Sequence, residues 1–146
     1  MEHGTAYPHP SSPAVTNVMK GNVAKNNRPE VLMRRLLREA GYGGYRLHWR
    51  VAGKPDIAYP GRRVAIFVNG CYWHRCPRCQ LPMPKANPEY WLAKFRRNQI
   101  RDSRNRRDLE MQGWTVATVW ECDLSKEPQR VLEEIIALLD SSTIKR

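Results

Sequence analysis

The stretch GKPDIAYPGRRVAIFVNG, residues 53–70, carries two turn signals and two apolar runs. Gly53, Lys54 and Pro55 turn the chain into a short strand from Asp56 to Tyr59. Pro60 and Gly61 turn it again, ahead of Arg62 and Arg63. Val64 to Asn69 then reads as a buried strand, because Val64 to Val68 is an unbroken apolar run. Upstream, Tyr45, Leu47, Trp49 and Val51 alternate with Arg46, His48 and Arg50, the period of a half-buried strand. Short connections join the three runs, so the expectation is an antiparallel meander.

Helical patterns flank these strands. Pro29 suits a first helical position, and Val31, Leu32, Leu36, Leu37 and Ala40 form one apolar stripe. Gly41 offers a left-handed cap after Ala40. Asn87 and Pro88 start a long helix that runs to about Gln112, and Gly113 closes it. WTVATVW, residues 114–120, reads as a central strand. PQRVLEEIIALLD, residues 128–140, reads as a helix with Val131, Leu132, Ile135, Ile136 and Leu139 inward. The order is α-β-β-β-α-β-α, and the expected class is α/β, a mixed β-sheet with helices on its faces.

A chain of 146 residues has the length of one domain. Residues 1–15, rich in Pro and Ser, are expected to be a flexible N-terminal segment, leaving 16–146 as the folded domain. That segment has no basic run ahead of an apolar one, so it does not read as a secretory signal. No stretch approaches the roughly 20 apolar residues that cross a bilayer. The chain reads as soluble and intracellular. Its net charge is +11, from 25 Lys and Arg against 14 Asp and Glu. A surplus that large in a small domain attracts a polyanion, and nucleic acid is the first candidate.

Three of the four cysteines, Cys71, Cys76 and Cys79, lie in FVNGCYWHRCPRC, residues 67–79. Cys122 follows the last strand. If that strand lies beside the one ending at Asn69, Cys122 reaches the same place, and four thiolates close a tetrahedral zinc site. A redox C-x-x-C needs a helix N-terminus, which Pro82 and Pro84 oppose. Two disulfides need an oxidising compartment, which nothing here suggests. A four-thiolate zinc has no open position, so it would hold the loop and do no chemistry.

Asp56 opens a strand after a turn. Alone it reads as a turn carboxylate, but its hairpin leads to His74. A carboxylate beside a strand carbonyl suits Mg²⁺, which takes one or two carboxylates and keeps several waters. His74 is either a solvated loop residue or a general base. Glu30 sits in the first turn of a helix, where it favours the dipole. Asp102 has the spacing of an i,i+4 ion pair with Arg106. Tyr72 and Trp73 lie in a loop and Trp91 early in the long helix. Each aromatic is either core or a surface that stacks on bases.

GKPDIAYPGRRVAIFVNGCYWHRCP, NPEYWLAKFRRNQIRD and GWTVATVWEC together resemble the very-short-patch-repair (Vsr) DNA mismatch endonucleases. The likeness covers roughly residues 16–124, with separated motifs in the family's order. It implies a restriction-endonuclease-like PD-(D/E)xK core and a Mg²⁺-dependent enzyme that nicks one DNA strand beside a T:G mispair left by deamination of 5-methylcytosine. By the resemblance, Asp56 and the Val68 main-chain oxygen bind Mg²⁺. His74 is the general base, and Glu30 and Asp102 order metal-bound waters and the phosphate. Cys71, Cys76, Cys79 and Cys122 match structural Zn²⁺ ligands.

The same resemblance implies that Tyr72, Trp73 and Trp91 wedge into the DNA stack. Met19 falls where an N-terminal segment reaches the opposite groove. Lys94 and Asn98 lie near the mispaired bases, and Asn69 stands where some members carry a phosphate-binding histidine. Arg96, Arg97 and Arg101 are expected to contact phosphates. The implied partners are double-stranded DNA with a mispair and mismatch-repair proteins such as MutL. The implied setting is a monomer in the bacterial cytoplasm, at the nucleoid. The rival readings are an enzyme of this fold with another specificity, or a zinc-containing DNA-binding module without catalysis.

Overall fold

The computed structural model describes residues 28–79 and 81–142. Helix α1 spans Arg28–Glu39. Strands β1 (Arg46–Leu47), β2 (Ile57–Tyr59) and β3 (Val64–Asn69) follow. One helical turn, α2 (Cys71–His74), starts directly after β3. The long helix α3 is Pro88–Met111 and strand β4 is Thr115–Trp120. Helices α4 (Glu121–Lys126) and α5 (Pro128–Ser141) complete the described chain. The four strands form one sheet in the order β1-β2-β3-β4. The first two pairings are antiparallel and β3 pairs with β4 in parallel, Val64 opposite Thr115 and Asn69 opposite Trp120. This is the mixed sheet with flanking helices that the sequence led us to expect.

The alternation along β3 divides the core. Val64, Ile66 and Val68 face the cluster built by Met33 and Leu37 of α1 and by Val131, Leu132, Ile135 and Leu139 of α5. Ala65 and the half-buried Phe67 face Leu109 of α3, Trp114 and Val116. An apolar strand in a sheet covered on both faces needs no polar residue until it ends. Each fully buried aliphatic side chain contributes about 1.5–3 kcal/mol. Beyond the sheet end, Trp73 of α2 and Trp91 and Phe95 of α3 form a third, aromatic cluster.

Three expectations are corrected. The strand read over Tyr45–Val51 is only Arg46–Leu47, because His48 turns left-handed at φ 51° and breaks the pairing. In α1, Met33 is fully buried and Val31 is exposed, so the stripe is rotated from the one read in the sequence. The cysteine segment begins as a helical turn instead of an open loop, and Cys122 lies on a short helix that the sequence reading did not anticipate. The turn before Asp56 is also tied to α3. A Cβ on Gly53 (φ +76°) would lie 2.9 Å from the Cβ of Asn105, so only glycine lets the turn approach this closely. Met19 and the N-terminal segment 1–15 lie outside the described residues.

Candidate active site

The parallel pair β3–β4 ends with both chains entering helices, and the polar residues gather there. Glu30, Asp56 and His48 come from α1, the start of β2 and the break after β1. One ligand atom from each lies within 4.8 Å of the others. Glu30 is 3% exposed, and His48 Nε2 stands 3.2 Å from its Oε2. The Val68 N–H donates to Asp56 Oδ2 at 2.7 Å, which locks the carboxylate to the end of β3. Burial pushes the Asp56 carboxyl up to about 6, against that amide, and the Glu30 charge adds to the rise. A site that holds carboxylates together at such a cost suits a cation, which would reverse it.

His74, the last residue of α2, reaches α3. Its Nδ1 lies 2.6 Å from Asp102 Oδ2. The sequence had offered Asp102 a pairing with Arg106. Instead Arg106 bonds Glu110 and the Val116 carbonyl, and Asp102 belongs to His74. A carboxylate without its proton only accepts, so in the neutral imidazole this contact places the proton on Nδ1 and leaves Nε2 its lone pair. A cleft of about 440 Å³ opens beside the pair, lined by Asn69, His74, Asp102, Asn105, Arg106 and Thr118. The Val68 bond ties Asp56 to the end of β3, and Gly70 leads from that end straight into α2 and His74, so the two groups lie at the same end of the sheet.

The cysteines meet as their spacing required. Cys71 begins α2, and a left-handed Arg75 (φ 54°) turns the chain so that the Cys76 N–H donates to the Cys71 carbonyl at 3.0 Å. Cys122 arrives because β4 lies beside β3. One Sγ from each of Cys71, Cys76, Cys79 and Cys122 lies within 4.8 Å of the others. The Cys76–Cys122 separation is 3.8 Å, too long for a disulfide bond. It matches the edge of about 3.8 Å that a tetrahedron of 2.3 Å zinc–sulfur bonds requires. The Cys122 N–H donates to Cys71 Sγ at 3.3 Å, and the Cys71 N–H to Glu121 Oε1 at 3.2 Å. Burial pushes the Cys71 thiol up. Burial also opposes ionisation at Cys76, yet the amides of Cys79 and Arg78 bring it down to about 7. The donor set, the spacing and the N–H···S bonds all fit zinc.

Of the two readings left open for the aromatics, core or stacking surface, the structure buries Trp73 and Trp91. Trp73 is 4% exposed and Trp91 5%, so neither is a surface aromatic in this structure. Trp73 and Trp91 pack with centroids 5.5 Å apart and their planes tilted by 51°, and the Trp73 indole N–H is buried without a hydrogen-bond partner among the described residues. Tyr72 is the half-buried member, edge-on to Phe95 at 5.6 Å, with the Arg75 guanidinium over both rings. Asn98 is 7% exposed, accepts from Arg101 Nη2 at 2.8 Å and reaches the Trp73 carbonyl at 3.4 Å. It thus joins α2 to α3. Lys94 is held below its ordinary pKa by partial burial and by Arg97 and Arg101. Arg96, Arg97, Arg101, Arg104 and Arg107 stand exposed along α3. His48 is the residue that sequence reasoning missed. Its place on the polar side of a period-two run hid it, and only the break after Leu47 turns it to the acids.

A mixed sheet that ends in a His–Asp pair, a mixed carboxylate–imidazole cluster and four thiolates, beside a basic helix, defines an α/β protein equipped to act on a polyanion. The family follows from direct likeness. Residues 13–80 match the family described as DNA mismatch endonuclease Vsr. The type II nicking enzyme V.XorIIP of Xanthomonas oryzae pv. oryzae is 44% identical over 104 residues, 70% of this chain and 75% of that one. V.NaeI, the type II nicking enzyme of Lentzea aerocolonigenes, is 38% identical over 120 residues, 79% and 72% of the two chains. The DNA mismatch endonuclease Vsr of Escherichia coli K12 is 39% identical over 72 residues, 49% of this chain and 46% of that one. The chain belongs to the Vsr DNA mismatch endonuclease family.

Proposed function

We propose that this protein is a DNA endonuclease with a PD-(D/E)xK core that nicks one strand beside a T:G mispair. The observation that carries the reading is the 2.6 Å His74–Asp102 contact set beside the Glu30–His48–Asp56 cluster. His74 Nε2, freed by the proton on Nδ1, takes the proton of an attacking water. As the water oxygen bonds to phosphorus, the P–O bond to the departing sugar breaks. Asp102 holds the imidazole in that tautomer and stabilises its charge once it is protonated. Asp56, with the Val68 carbonyl, would hold a Mg²⁺, and Glu30 would order its waters. Such an ion supplies Lewis acidity at the phosphate. Zinc held by Cys71, Cys76, Cys79 and Cys122 would fix the turn that bears His74.

Selectivity rests on the aromatic cluster. A mispair costs less to unstack than a matched pair, so an inserted ring turns weak stacking into preference. Tyr72 is the ring placed to enter first, with Trp73 and Trp91 behind it. Several relatives are named type II nicking enzymes, which supports a second reading, a nick set by another mispair or modified base. End-labelled duplexes carrying T:G, the other mispairs or 5-methylcytosine, incubated with Mg²⁺, decide between them. A single nick beside T:G alone is the expected result, and Asp56→Ala should abolish it while DNA binding persists. Nicking confined to another substrate selects the second reading, and wild-type nicking by Asp56→Ala overturns the cation assignment.

A further inference from the structure

We propose that His48 is a nitrogen ligand of the cation assigned to Asp56, that Glu30 binds the same ion directly and not only through its waters, and that His48 tilts this site toward first-row transition ions over Mg²⁺. The inference rests on the reading of that cluster as the cation site. The three side chains come from three separate elements, yet one ligand atom of each falls within 4.8 Å of the others. His48 Nε2 is buried and has no hydrogen-bond partner among the described residues, although Glu30 Oε2 is only 3.2 Å away. A nitrogen that sits beside carboxylate oxygens without the alignment of a hydrogen bond is arranged as donors around a common centre are arranged. An imidazole lone pair and a carboxylate lone pair repel each other unless a proton or a metal lies between them.

The chemistry of the donor set then sets the preference. Mg²⁺ takes oxygen ligands in a strict octahedron and binds through few carboxylates with several waters. Imidazole suits iron, nickel, copper and zinc, and affinity at nitrogen-containing sites rises across the row from Mn²⁺, its weakest member, to Cu²⁺. A set of two carboxylates and one imidazole is thus a better cage for a transition ion than a set of oxygens alone. Mn²⁺ is the probe of choice. It accepts carboxylates as Mg²⁺ does, and its unpaired electrons report a bound ¹⁴N.

The test uses full-length, zinc-replete protein with Mn²⁺ alone, read by electron spin echo envelope modulation. Imidazole ¹⁴N modulation is expected in wild type and in His74→Ala, and its loss in His48→Gln. Titration of His48→Gln should show Mn²⁺ affinity weakened about tenfold or more, and Mg²⁺ affinity changed by less than about twofold. His48→Asp, which keeps a ligand but no nitrogen, guards against a variant that fails to fold and must also lose the modulation. Bound Mn²⁺ without nitrogen modulation in wild type, or modulation that survives in both His48 variants, overturns the proposal and leaves the cation reading standing. Failure of Mn²⁺ to bind, or binding untouched by Asp56→Ala, overturns both.

Discussion

On the proposed reading Asp102 decides which nitrogen of His74 would face the substrate, and a single side-chain change tests it. Asparagine keeps the size of Asp102, yet its amide can donate as well as accept, so the tautomer is no longer fixed. Asp102→Asn should slow nicking on the order of 10²- to 10⁴-fold in single-turnover assays. The pair is part-exposed, so stability should move by less than about 1 kcal/mol, checked by thermal melting. Asp56 gives the opposite balance. Its folded carboxyl sits at about 6, above its ordinary value of 3.8, chiefly because of burial. The folded state therefore holds an extra proton between those values. Stability is fully present below about pH 4 and is lost as pH rises through about 6. In buffer free of Mg²⁺, Asp56→Asn should exceed wild type above pH 6 by on the order of 1–2 kcal/mol and match it near pH 4. Adding Mg²⁺ should raise the wild-type melting temperature and leave the variant unmoved. Melting curves at pH 4, 6 and 8, with and without the ion, check all of this.

At the scale of elements, the junctions after β3 and β4 make the site. Both strands end in register, Asn69 opposite Trp120, and each leads at once into a helix that begins with or near a cysteine. Zinc at the four thiolates would staple these two starts and hold His74 in place. Purified protein should contain about one zinc per chain by elemental analysis. Cys122→Ser, which removes one ligand, should lower the melting temperature by about 10 °C or more and weaken nicking together with zinc content. A zinc-free, fully active protein would end this assignment. Much of this level was legible in the sequence. Turn residues and a five-residue apolar run define β2 and β3, and Cys122 after β4 could join the other three cysteines only if β4 lay beside β3, as it does. What was not legible depends on contacts between distant segments. Nothing in YRLHWRV states that His48 turns left-handed and reaches Glu30. Nothing in GCYWHRC states that Trp73 is buried, because its cover, Trp91 and Phe95, arrives from a helix with its own register. Asp102 had an obvious local partner in Arg106, and a tertiary contact at 2.6 Å took it instead.

For the whole molecule, charge is the property that composition states outright. The net +11 is not spread evenly, because α3 alone exposes Arg96, Arg97, Arg101, Arg104 and Arg107 on a 24-residue helix. A helix so built and packed against a sheet by Leu109 presents a fixed line of positive charge, which would suit a phosphate backbone on the proposed reading. No described helix is long and apolar enough to cross a membrane. Binding that works through phosphates releases counterions, and its logarithm falls linearly with the logarithm of salt concentration. Two arginines on this rail should separate affinity from selectivity. Arg97 is exposed beside the cluster, and Arg97→Ala should reduce the salt slope by about 1 and weaken matched and mispaired duplexes alike. Arg101 also donates to Asn98, which in turn holds the Trp73 carbonyl. Arg101→Ala should therefore lower the slope by a similar amount and also erode the preference for mispaired DNA, because it loosens the Asn98 contact that ties Trp73 of α2 to α3. Fluorescence anisotropy with matched and T:G duplexes across a salt series measures both quantities. Equal losses of preference in the two variants would show that the arginines act only as charge.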